Sequence, residues 1–157
     1  MPAQTSYSIN QRVALAGLIY ALGDSDIVSR SVETEAGIGF GVAVGRGTDK
    51  ADQIVLGTSS FVGITVRSLD REGTSDAILY KETETAGVMR NGYVWVTCPA
   101  GCNPGDAVKY TTATGVLDAG AAGAGEIQLD GAKWETAAAA GELAVIRIET
   151  SAVTVGS

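Results

Sequence analysis

Residues 87–117 read GVMRNGYVWVTCPAGCNPGDAVKYTTATGVL and divide into three strands joined by tight turns. Val94-Trp95-Val96-Thr97 is β-branched and aromatic, which suits a pleated, half-buried surface. Asn103-Pro104-Gly105-Asp106 is a reverse-turn tetrad, because proline presets φ and the following glycine accepts the positive φ of a type II turn. Ala107-Val108-Lys109-Tyr110-Thr111 leaves that turn as a second strand, and Thr114-Gly115 reverses the chain into Val116-Leu117. Short strands separated by turn residues predict an all-β body, a small antiparallel sandwich or barrel.

Upstream, Gly37 to Gly47 alternates strictly, with Ile38, Phe40, Val42 and Val44 on one face and Gly39, Gly41 and Ala43 on the other. Period two predicts a strand, and its glycine face predicts a backbone or a ring lying close against it. Phe61 to Arg67 is a further strand with Val62, Ile64 and Val66 together, and Ile54-Val55-Leu56 and Ala77 to Lys81 are shorter ones. Ile27 to Glu35 reads as an edge strand preceded by a turn at Gly23-Asp24-Ser25-Asp26. Downstream, Asp118 to Gly125 is an alanine- and glycine-rich stretch that predicts a mobile surface loop. Asp130-Gly131 is a two-residue hairpin signal between Ile127-Gln128-Leu129 and Ala132 to Thr136. A last strand, Leu143 to Glu149, places Ala144, Ile146 and Ile148 on one face.

The first 22 residues differ from the rest. They carry one charge, Arg12, and the first acid is Asp24. Val13 to Leu22 is apolar on every side, a pattern compatible with a short buried helix and with an extended arm lying on an apolar partner. The chain therefore divides into an N-terminal arm, 1–22, and a single β-rich body, 23–157.

Composition narrows the function. At 157 residues, one domain buries roughly 70% of its unfolded surface without disulfides or metal. Charged residues make up only 18%, against about 25% in ordinary soluble domains, which implies that another chain covers part of the surface. A net charge of −7 and a pI near 4.5 argue against nucleic acid as a partner. No apolar run is long enough for a transmembrane helix, and MPAQTSYSIN lacks the pattern of a signal peptide, so no membrane partner and no secretion are expected.

The chain has no histidine, which removes Ser-His-Asp and Cys-His mechanisms and the commonest metal ligand. Gly23-Asp24-Ser25 looks like an esterase nucleophile block but has no base to activate the serine. The Gly37–Gly47 run has neither the G-x-G-x-x-G nor the P-loop spacing. Cys98 and Cys102 are spaced C-x-x-x-C, open to two free thiols, a local disulfide or an intersubunit bridge. Asp49, Asp52, Asp70, Glu72 and Asp76 follow no calcium-loop pattern and read as solvated loop acids. Trp95 and Trp134 read as core or interface anchors. Lysine, tyrosine or carboxylate chemistry stays open, and no residue stands out as catalytic, metal-ligating or cofactor-binding.

Taken in order, several segments resemble the capsid decoration, or structural cement, proteins of tailed bacteriophages. They are Ala16-Gly17 in the apolar start; Gly37 to Val44, similar to I-x-F-G-x-A-V; and Phe61 to Thr65, similar to F-x-G-I. Pro104 to Tyr110 with Thr114-Gly115 is similar to G-D-x-V-x-Y followed by T-G, and Trp134-Glu135-Thr136 precedes Gly141 to Ile146. The Cys98/Cys102 loop and the stretch 119–125 lie outside that pattern. The resemblance implies a non-enzymatic virion structural protein, without catalytic residues, metal or cofactor, with a β-sandwich or β-barrel body. It would bind the outside of an assembled shell of major capsid protein and bridge capsomers at symmetry axes as a dimer or trimer. Within that reading, Tyr7, Ile9, Arg12 and Leu15 of the arm are the candidate capsid contacts. Two other classes fit an all-β body: a self-associating tail, fibre or surface-layer module, and a β-sandwich enzyme or carbohydrate-binding module. The latter has few rings to draw on: two Trp, five Tyr and two Phe.

Overall fold

The computed structural model describes residues 14–69, 78–149 and 155–156. These contain ten strands and no helix: β1 (Ile19–Val32), β2 (Ala43–Arg46), β3 (Gln53–Leu56), β4 (Phe61–Thr65), β5 (Thr85–Cys98), β6 (Ala107–Thr111), β7 (Leu117–Ala119), β8 (Glu126–Trp134), β9 (Glu142–Glu149) and β10 (Val155–Gly156). The strands form one sheet in the order β1-β3-β2-β4-β5-β9-β8-β6-β7, with β10 on β8. Because β1 also pairs with β5, the strands β1, β3, β2, β4 and β5 close into a ring. The body is thus a small barrel with a second layer, β9-β8-β6-β7, continuing from β5. Every pairing is antiparallel except β1 with β3, which run parallel through Ser31–Gln53 and Val32–Ile54.

β5 joins the two halves. Its first half pairs with β1 on one edge and β4 on the other, and its second half pairs with β9 from Asn91 to Cys98. Ala86 and Val88 belong to the ring core with Val32, Ile38, Phe40, Val44, Ile54 and Tyr80. Met89, Val94, Val96 and Cys98 belong to the second core, around Tyr110, Leu129, Trp134 and Ile146. The inward set shifts from even to odd at Met89 and returns to even after Gly92, which has φ +131 and lies against Ser25. β5 thus contributes apolar side chains to both cores, with the exposed Arg90 falling between Met89 and Val94.

Several local readings hold. The Asn103–Asp106 turn forms as expected: Asp106 N–H donates to the Asn103 carbonyl at 3.1 Å, and Gly105 has φ +88. Thr114-Gly115 turns the chain between β6 and β7, with Gly115 N–H on the Thr111 carbonyl at 2.8 Å. Ile38, Phe40 and Val44 share one core as the alternation required. A close backbone approach occurs at Gly41, where a Cβ would lie 2.9 Å from the Gly17 nitrogen, and not at Gly39, which faces open space.

Others are corrected. Residues 37–47 do not form one strand, because Gly41 has φ +69 and only Ala43–Arg46 joins the ladder. Asp130-Gly131 does not reverse the chain. β8 runs straight through it, and the register against β6 jumps from Val108–Leu129 to Ala107–Lys133. This bulge moves the inward set from Ile127 and Leu129 to Ala132 and Trp134, so both halves face the core. Gly23–Asp26 is a wide bulge within β1, closed by Ser25 Oγ–H donating to the Ala21 carbonyl at 2.8 Å. The expected division at Leu22/Gly23 therefore falls inside one strand. β1 is no edge strand at Ser31 and Val32, where β3 and β5 flank it. Of Ala77–Lys81, Ala77 is outside the described residues and Tyr80 makes only an isolated bridge to Ile38.

The alanine- and glycine-rich stretch is tied down rather than loose. The Gln128 side chain accepts from Ala122 N–H at 2.9 Å and donates to the Val108 carbonyl at 2.8 Å. Glu126 accepts from Gly123 N–H at 2.8 Å and from Lys109 Nζ at 2.9 Å, and these contacts hold its carboxyl below the usual range.

The cysteine loop has the free-thiol form, with both thiols buried. Burial, with the Asp118 carboxylate beside it, pushes the Cys98 thiol up to about 12, and burial pushes the Tyr110 phenol up to about 12. Both are neutral in the folded protein and ionise near ordinary values, about 8.5 and about 10, once unfolded. Raised folded values mean that their stabilisation is complete below about pH 8.5 and is lost as pH climbs toward 12. The urea midpoint should therefore fall between pH 8.5 and about 11, and Cys98→Ala with Tyr110→Phe should flatten that fall. Iodoacetamide should leave both thiols unmodified in the native protein at about pH 8 and alkylate both in urea. A wild-type midpoint that stays level across the range would contradict this account.

Candidate functional site

The chain enters the body through a tight turn, Leu15-Ala16-Gly17-Leu18. Leu18 N–H donates to the Leu15 carbonyl at 3.1 Å, and Gly17, with φ +84, occupies the position that needs positive φ. Three backbone bonds fasten this turn. Gly17 N–H donates to the Trp95 carbonyl at 2.7 Å, Trp95 N–H to the Leu18 carbonyl at 2.8 Å, and Arg67 N–H to the Gly17 carbonyl at 2.7 Å. Ala14 is buried. The Arg67 guanidinium lies 4.8 Å above the Phe40 ring, beside the same turn.

Leu15 and Ala16 line an open groove of about 920 Å3 together with Trp95, Thr97, Arg67 and Leu143. Next to it, the outward face of β5 carries Tyr93 and Trp95, alternating with the inward Val94 and Val96. Tyr20 of β1 leans against both rings, at centroid distances of 6.3 Å to Tyr93 and 5.7 Å to Trp95. Arg147 of β9 lies over Tyr93 at 6.0 Å. Tyr20 is 56% exposed and Leu22 is 81% exposed. Single exposed apolar residues are ordinary, but contiguous rings with an arginine beside them have the composition of a protein interface. Among the described residues, β1 pairs with β3 only at Ser31 and Val32, so the outer edge from Ile19 to Arg30 is free beside these rings.

Of the four arm residues named from the sequence, the structure places Leu15 in the groove wall. Tyr7, Ile9 and Arg12 lie outside the described residues. The two tryptophans separate in role: Trp134 is fully buried and Trp95 sits half-buried under the groove. Tyr20, Leu22 and Tyr93 were not singled out from the sequence. The available signal was the pair of rings at Tyr93 and Trp95 on the face of a strand where polar residues normally alternate with the core.

Among the described residues, no group of three or more Cys, Asp and Glu is placed to hold a metal ion. Asp70, Glu72 and Asp76 lie outside the described residues.

No curated protein matches the chain in sequence. The family model described as structural cement protein (E217 gp24/Pam3 gp6) matches residues 3–149. A chain from the solved capsid of Myoviridae phage XM1 superposes with a TM-score of 0.71. The alignment covers 95% of this chain and 98% of that one at 16% identity, a likeness of fold.

Proposed function

The chain belongs to the phage structural cement protein family and has a virion structural role; from that premise we propose that it binds the outer surface of an assembled capsid and cross-bridges capsomers to stabilise the shell. The observation that carries this reading is the contiguous surface at the arm's root. A groove, three clustered rings and a strand edge left free among the described residues all adjoin the turn at Leu15–Leu18.

The physics of the role is linkage. A protein that binds the assembled lattice and not free subunits stabilises the lattice by mass action. A copy, or a dimer or trimer, that touches two capsomers gains effective concentration for the second contact. Stable contacts of this kind bury roughly 1,200–2,000 Å². The rings supply anchors of the residue types that dominate interface energies. Tyr7, Ile9, Arg12 and Leu15 are the arm positions assigned to capsid contact.

Co-sedimentation with expanded empty shells tests the reading. Deleting residues 1–12 should weaken binding while the circular dichroism of the body is unchanged. Tyr20→Ala with Tyr93→Ala should weaken it by roughly tenfold or more. Unchanged binding by both variants would defeat the assigned surface, and failure of the wild type to bind any shell would defeat the function.

A further inference from the structure

The ring of β1, β3, β2, β4 and β5 opens at one end into a cavity of about 420 Å3. Each of its strands contributes to the mouth: Arg30 from β1, Arg46 from β2, Gln53 from β3, Phe61 and Val62 from β4, and Arg90 from β5. Three arginines therefore line one opening in a chain whose 11 basic residues are outnumbered by 18 acids. Among the described residues, neither Arg30 nor Arg46 has a carboxylate within ion-pair distance, although the protein carries a net charge of −7. Arg90 has only Asp26, at 4.0 Å, and that pair is about half exposed. Gln53 Oε1 is buried without a hydrogen-bond partner. A glutamine amide can reverse and present N–H donors from the same position.

Like charges held around one opening repel, and an acidic chain has many carboxylates with which to neutralise them. Here closure of the ring assembles the charges and leaves two of them uncompensated. Arginine's planar fork matches a carboxylate or phosphate in a bidentate manner. The apolar wall of Phe61 and Val62 adds a preference, because it offers contact to the methylenes of an acidic side chain and nothing to a bare inorganic ion.

We propose that the barrel mouth is an anion site that takes the carboxylates of an acidic polypeptide segment. The site lies on different residues from the arm-root surface and is testable on the free protein, so it stands or falls separately from shell binding.

The probes are acetylated hexaglutamate and inorganic phosphate, titrated into the full-length protein by calorimetry at about 50 mM salt, where exposed charges are only partly screened. Saturable hexaglutamate binding is expected, at least about tenfold weaker in Arg30→Gln/Arg46→Gln. Lys81→Gln, an exposed basic residue away from the mouth, should bind as the wild type does. Circular dichroism and the urea midpoint of each variant check that the ring is intact. If the double variant proves unfolded, Arg30→Lys/Arg46→Lys keeps the charge, removes the fork and should still weaken binding. Phosphate binding as tight as hexaglutamate would assign the mouth to a free anion and overturn the peptide part. Absence of binding, or equal binding by a folded Arg30→Gln/Arg46→Gln variant, would overturn the site altogether.

Discussion

Truncating Trp134 to alanine is expected to lower the unfolding free energy by about 3–5 kcal/mol, the range for removing a large aromatic from a packed core. Trp134 is fully buried and tops the fully buried side chains in volume. It stands at the end of β8, opposite Ile146 of β9. Its carbonyl accepts from Gly105 N–H at 2.7 Å and its N–H donates to the Asp106 carbonyl at 3.2 Å, so the Asn103–Asp106 turn rests on the same residue. The cavity would open where β6, β8 and β9 converge, with little backbone free to collapse into it. Trp134→Phe should cost less than half as much. The Trp134 Nε1–H is buried without a partner, and removing an unsatisfied donor returns part of the roughly 1–3 kcal/mol that its desolvation costs. Urea unfolding followed by far-ultraviolet circular dichroism measures both. A loss below about 1 kcal/mol for Trp134→Ala would contradict the packing described.

Gly17→Ala should produce a large loss of a different kind. A Cβ at this position would sit 2.8 Å from the Phe40 Cβ and 2.9 Å from the Arg67 backbone nitrogen. The left-handed conformation alone costs a non-glycine residue about 1–2 kcal/mol. A contact with backbone cannot be relieved by a rotamer, so the turn at Leu15–Leu18 must lift off and lose its three bonds to Trp95 and Arg67. None of Leu15 to Leu18 belongs to either core. The expected result is a shell affinity at least about tenfold lower, a Trp95 amide that exchanges rapidly with deuterium, and only a small shift of the urea midpoint. Gly105→Ala is the matched control, since Gly105 has a similar φ of +88 but nothing within 4 Å. A Trp95 amide still protected in Gly17→Ala would show that the turn tolerates the methyl.

The elements legible in the sequence were those whose cause is local. Pro104-Gly105 specifies its turn in two residues, and the alternation of Val94 and Val96 with Tyr93 and Trp95 specifies a strand with one core face. Asp130-Gly131 carries an equally strong local signal, yet β8 passes through it. β6 and β10 hold Gln128 and Leu129, while β9 holds Ala132 to Trp134, and these long-range ladders outweigh the turn preference. The parallel pairing of Ser31 with Gln53 has no local signature at all. The same holds for the two surfaces. Leu15 was accessible to sequence reasoning because an apolar, uncharged start is visible in composition. Tyr20 gains meaning only when β1 lies against β5, and Arg30, Arg46 and Arg90 are unremarkable in the chain until the ring closes.

That closure also sets an order of events during synthesis. β1 is made early, but most of its ladder is with β5, so Ile19 to Arg30 must wait for Thr85–Cys98 to leave the ribosome. At about 5–20 residues per second, that wait is on the order of seconds. Throughout it, a long strand bearing Tyr20, Leu22 and Ile27 is open to mispairing with other nascent chains. Asp24 and Asp26 put charge into that stretch, one of the means by which sheet proteins discourage association through an open edge. Charge at these two positions is present before the barrel exists, while the strand's partner has yet to be made.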